Sequence, residues 1–190
     1  MATKAVMEAI QQQLKTANLV KNNKSVYLHA GKFTWAELKR RGFNAPALFI
    51  SCLGWKDADD YDTAALSGYE SVVQARFAVG IVTSDSKNAE ARNLEARILA
   101  EQVRLQLTDQ DWNLDNCLVA TKRRAEGLFV PAAEADNSSL WLVTWYQSIG
   151  LNSEDQQNSI DDWLRYHAEH YDSEDETHLM AADTVEIPQE

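Results

Sequence analysis

The sequence predicts one α/β (α+β) domain followed by a C-terminal helical, acidic arm. Three observations carry this. Between Tyr69 and Leu107 the apolar period changes from two to helical; two further runs of strand length, 47–53 and 140–151, are strongly apolar; and all of the excess charge lies beyond residue 151.

The stretch from Tyr69 to Leu107 organises the rest. Val73, Ala75, Phe77, Val79 and Ile81 alternate with Gln74, Arg76, Ala78 and Gly80, the pattern of a half-buried strand. After Thr83-Ser84-Asp85-Ser86 the spacing becomes helical. Ala91, Leu94, Ile98 and Leu105, with Leu99 and Val103 beside them, form a wide stripe that predicts an amphipathic helix lying back on the strand. Asp85 or Ser86 is its expected N-cap. Upstream, Val6, Ile10 and Leu14 predict a helix over residues 3 to 18, and Val26-Tyr27-Leu28 a short strand. Residues 31–45 read as irregular or briefly helical. Ala47 to Leu53 reads as a strand ended by Gly54, and 55–68 as a long polar loop. Downstream, Thr108 to Asp111 reads as a turn, and 114–120 and 121–131 as strand-like runs. Residues 140–151, LWLVTWYQSIGL, alternate with both faces apolar, so the strand either lies sandwiched in the core or turns one face to a subunit contact.

The 190 residues suffice for one domain with a substantial core. From Asn152 to Glu190 there are 12 acidic residues and one basic, Arg165; residues 1–151 hold 17 of each sign. A neutral body argues against a duplex-binding groove. Ser159 to Asp162 resembles a capping box, and Ile160, Trp163, Leu164, His167 and Tyr171 predict a helix over about residues 159–171 with an extended acidic arm after it. No secretion signal or membrane-length apolar run is read, and two cysteines, Cys52 and Cys117, make no disulfide framework. Synthesis in a reducing cytoplasm is expected.

No P-loop, dinucleotide turn, nucleophile elbow or CxxC pair occurs. His167, His170 and His178 among Asp172, Glu174, Asp175 and Glu176 would be the only basis for a metal-dependent enzyme, and a solvated acidic tail with incidental histidines is the better account of them. Asp57, Asp59, Asp60 and Asp62 are spaced loosely like a calcium loop, without its central Gly or terminal Glu. Lys122-Arg123-Arg124 reads as a solvated strand end. The expectation is therefore no catalysis, no cofactor and no metal.

Taken in order, the N-terminal helix, GKFTWAEL, APALFISCLG, ARFAVGIVTSDSKNAEARNLEA and WLVTWYQSIGL resemble the Mu-like prophage tail family related to bacteriophage tail terminator proteins, over residues 1–151. The acidic extension departs from that pattern. The resemblance implies helices packed on a mixed, mostly antiparallel sheet. It also implies a structural virion protein at the head–tail junction: a ring of copies, six by the family pattern, that caps the tail tube, ends its polymerisation and offers a surface to the head and neck. Its partners would be further copies of itself, the tail tube protein and a head or neck connector, with genome DNA passing through the lumen unbound and no membrane involved. Candidate contacts are Trp141, Val143, Trp145 and Ile149 on the late strand, Trp55, Asp59, Asp60 and Tyr61 in the polar loop, and Trp163 in the arm. The alternatives are a neck protein joining head to tail, or an acidic arm that mimics DNA.

Overall fold

A computed structural model of the chain describes residues 2–30, 33–85, 88–152, 168–172 and 175–183. Its contacts divide it into two units, Ala2–Leu151 and Asn152–Glu190. In the first, the elements run α1 (Ala2–Thr16), a 3₁₀ turn (Asn23–Ser25), β1 (Val26–Leu28), α2 (Trp35–Arg41), β2 (Ala47–Asp57), α3 (Asp60–Ala65), β3 (Ser71–Ser84), α4 (Ala89–Gln106), β4 (Thr121–Leu128), α5 (Pro131–Ala135) and β5 (Ser138–Leu151). One sheet of order β1-β2-β3-β5-β4 gathers the strands. Only β1 and β2 run parallel; every other pair is antiparallel, so the fold is α+β as expected.

The centre of the sheet is the fourteen-residue pairing of β3 with β5, unbroken from Ser71 opposite Leu151 to Ser84 opposite Ser138. Alternation decides which side chains meet. Val73, Phe77, Val79 and Ile81 share a face with Val143, Trp145 and Ile149, and α1 and α4 cover that face. Trp145 stacks on Phe77 with ring centroids 5.8 Å apart. The opposite face packs at one end against α2 and α5, where Trp35, Leu38, Phe49, Val82, Ala133 and Leu140 form a second cluster. Asp136, just after α5, ties this layer together by accepting from Trp35 Nε1 at 2.6 Å and Lys39 Nζ at 2.9 Å. Those two bonds hold its carboxyl below the usual carboxylate range. Gly80 is required where Phe33 crosses the sheet, since a Cβ there would lie 2.7 Å from the ring.

Several expectations are corrected. The residues expected to line the inner face of α4 are mostly on its outside: Leu94, Ile98 and Leu105 are 56%, 45% and 67% exposed. The buried side is Arg92, Ala96, Leu99, Ala100 and Val103. Ala96 and Ala100 are fully buried on that side, while the larger apolar residues lie on the other. The N-cap is Asn88, whose side chain accepts from Ala91 N at 2.9 Å; Asp85 instead accepts from the Asn88 amide.

The polar loop is shorter than expected. A bulge between Cys52 and Gly54, with Gly54 at φ 135°, lets β2 continue to Asp57, and Asp59 then caps α3. Residues 114–120 form no strand beyond an isolated bridge from Cys117 to Ile149. That segment is held by Gln147, which is 1% exposed. Its Oε1 accepts from Trp112 Nε1 at 2.8 Å and Trp145 Nε1 at 2.9 Å, and its Nε2 donates to the carbonyls of Gln110 at 3.1 Å and Leu118 at 3.0 Å.

In the second unit, β6 (Ala168–Asp172) pairs antiparallel with β7 (Asp175–Asp183). The helix expected over 159–171 is therefore overturned at residues 168–171, and its remainder, with the capping box and Trp163, lies outside the described residues.

Two measurements check these assignments. Replacing Gln147 with Leu keeps the volume but strands two indole N–H groups and two carbonyls; urea unfolding is expected to show a loss of about 3 kcal/mol. Leu99→Ala is expected to cost about 2–4 kcal/mol by the same assay, whereas Leu105→Ala is expected to fall within about 0.5 kcal/mol of the parent.

Candidate functional site

With the core closed by its own helices, contacts to other molecules must come from what remains outside. Val143, Trp145 and Ile149 are each 0% exposed. Their face is taken by α1 and α4, so these three proposed contact residues are core. Trp141, the fourth, is half-buried and lines a cleft at the edge of the same face.

That cleft, of about 530 Å³, lies between α4 and the β4–α5 connection. Leu94, Arg97 and Glu90 form one wall and Phe129 and Trp141 the other. Phe129 is 81% exposed. Glu134 on its lining is held from behind: Arg92, buried at the start of α4, pairs with Glu134 at 2.5 Å and donates to Ser139 Oγ at 3.2 Å and the Asp85 carbonyl at 3.3 Å. It joins the β3–α4 turn, α5 and β5 in one junction. Gly127 faces Trp141, where an added Cβ would approach the indole at 3.3 Å.

A second surface lies at the other end of the sheet, where β2 ends, β3 begins and β5 ends. Trp55 is 66% exposed on the last turn of β2 after its bulge, with Leu53 41% exposed two residues earlier. Tyr61, 82% exposed on α3, and Val119 line a cleft of about 300 Å³ with Asp62, Asp111, Cys117 and Ser148. Ser148 Oγ donates to Asp62, fixing α3 on the sheet. Asp59 and Asp60 are exposed beside them. Asp59 is engaged as the α3 cap, accepting from Asp62 N at 3.0 Å. Asp57 ends β2, Asp59 caps α3, Asp60 opens that helix and Asp62 takes the Ser148 bond, and no group of three metal-binding side chains occurs among the described residues.

The structure therefore brings Trp55 and Tyr61 to one end of the sheet and Trp141 to the other. It adds Leu53, Val119 and Phe129, and the outer face of α4. Phe129 was hidden in a run that reads as strand, and it is thrown outward because Pro131 starts α5 two residues later. The basic run is consumed locally. Lys122 and Arg76 both lie over the Tyr146 ring, at 5.8 and 5.9 Å, Arg123 donates to Thr108 and Arg124 pairs with Glu126. His170 and His178 fall on β6 and β7, not on a helix. No helix among the described residues is long and apolar enough to cross a membrane.

Cys117 is buried against Gln147 and near Asp111, and burial first, then the carboxylate, push its thiol from the ordinary 9.0 up to about 12. Burial also raises Cys52, against the lowering effect of a backbone hydrogen bond at Gly54. Compared with known proteins, the sequence matches no family profile and no curated protein.

The thiols give a direct check on the second cleft. At pH 8 Cys117 is expected to resist alkylation by iodoacetamide in the folded protein and to react on unfolding, as read by mass spectrometry. Because the folded state keeps a proton that the unfolded chain sheds, stability is expected to fall as pH rises from 9 towards about 12.

Proposed function

We propose that this protein is a structural component of a bacteriophage tail: copies assemble as a ring, six by the family pattern, on the end of the tail tube. The ring ends polymerisation and presents a surface to the head and neck. The observation that carries the reading is the placement of exposed aromatic and aliphatic side chains in two unlike sets at opposite ends of one sheet. Leu53 and Trp55 on β2, and Tyr61 and Val119 on the cleft beside α3, lie at one end, and Leu94 and Phe129 at the other. A closed ring is built from head-to-tail contacts, in which one surface of each copy meets a different surface of the next. Two unlike apolar surfaces on a rigid body suit that geometry, and large exposed apolar groups mark binding surfaces more often than inert ones.

In this reading the Trp55–Tyr61 end meets the tube or the neighbouring copy. Asp59 and Asp60 at its rim steer the approach and select the partner. The sequence resemblance over residues 1–151 supports the same assignment, and a neutral body with an acidic extension suits a lumen that DNA must pass without sticking. The site would be the virion's head–tail junction.

Replacing both Trp55 and Tyr61 with Asp is expected to leave the fold intact, because both side chains are outside the core. It is also expected to abolish capping, seen by electron microscopy as tails of uncontrolled length in infected cells lacking the native protein. Tails of normal length from a folded double variant would overturn the assignment of this surface.

A further inference from the structure

The outer face of α4 has properties that a ring contact does not require. At 100° per residue, Ala91, Leu94, Ile98 and Leu105 fall within an arc of about 60° on the side away from the sheet. All four are exposed. Along one flank of that stripe, Glu90, Arg97, Glu101 and Arg104 alternate in sign and are exposed as well. The other flank carries Glu95 and Gln102.

We infer that this face binds the same face of a second copy, the two α4 helices antiparallel about a two-fold axis passing at Ile98. The charges select this arrangement. Antiparallel helices set like flanks side by side in reversed order, so Glu90 comes opposite the second copy's Arg104 and Arg97 opposite its Glu101, and each pair occurs twice. On the other flank Glu95 meets Gln102. A parallel two-fold arrangement would instead set this flank against the other one, where only Arg97 would come near an opposite charge, Glu95, and Glu90, Glu101 and Arg104 would meet none. The same register stacks Ile98 on Ile98 and brings Ala91 and Leu94 to the second copy's Leu105 end, so the apolar stripe is covered along its length. The helix of 18 residues supplies a seam about 27 Å long, and Phe129, beside Leu94 in the neighbouring cleft, widens it.

This pairing stands independently of the tail reading. If that reading holds, the dimer is the form away from the tube, because it covers Leu94 and Arg97, which also line the cleft beside Phe129.

A two-fold axis makes one test decisive, since only there does a residue meet its own copy. Ile98→Cys is expected to form an interchain disulfide under mild oxidation of the full chain. Leu105→Cys is expected not to, because its two copies would lie about 21 Å apart along the seam, far beyond the reach of a disulfide. Sedimentation equilibrium should show a dimer that Arg97→Glu weakens about tenfold or more and that Arg97→Glu with Glu101→Arg restores, circular dichroism confirming that each variant is folded. A monomer up to the solubility limit, or an oligomer in which Ile98→Cys stays unlinked, would overturn the two-fold contact. Either result is read without a tail-capping assay, so its failure would leave the ring proposal standing, and a failed capping assay would leave the dimer standing.

Discussion

The carboxamide of Gln147 is the interaction on which the described body depends. It sits on the central pair of strands, on the same face as Trp145, and each of its polar atoms is bonded within the protein. A buried amide left half-satisfied would be costly, whereas a complete set fixes one arrangement. Here it fixes the thirteen-residue passage from Leu107 to Val119, which has no regular structure of its own to hold it against the sheet. Trp112 stands at positive φ in that passage and still delivers its indole N–H to Gln147. The second cleft, with Cys117 and Val119 on its wall, exists because this segment is pinned.

Arg92 has a comparable role at the opposite end. It is a charged group taken into the interior, and its ion pair with Glu134 and bonds to Ser139 and Asp85 compensate the lost hydration. The two exposed surfaces are thus each built beside a satisfied buried polar group. A surface whose supports are locked in this way keeps its shape before a partner arrives, which lowers the ordering cost of binding.

The parts of the fold legible in the sequence were those governed by period. β3 and β5 follow from strict alternation, α1 from Val6, Ile10 and Leu14, and the acidic extension from charge alone. The inner face of α4 was not legible, because the helix is apolar on two opposite sides. Size and hydrophobicity favour Leu94, Ile98 and Leu105, while burial goes to Ala96, Ala100 and an arginine. Which side faces the sheet depends on how closely the backbones approach and on where Glu134 waits for Arg92, both long-range facts. The extension of β2 through a polar stretch was hidden for a related reason: a glycine bulge changes register without changing composition. Of the candidate contacts, Trp55 and Tyr61 were found because large aromatics stood in a run of aspartates. Phe129 carried no such contrast with its neighbours.

The two rims of the five-stranded sheet limit how copies of that sheet can associate. One is β1, only three residues long. The other is β4, interrupted by an irregularity between Thr121 and Arg124, with Lys122 at φ 49° and charged side chains along it. Neither offers a flat ladder of free amides and carbonyls onto which a further strand could add. Growth by backbone pairing has no natural end, since each added strand exposes another. Where the outer strands of the five-stranded sheet are blunted in this way, contacts between copies of it fall to side chains on helices and turns, and such contacts can stop at a finite number.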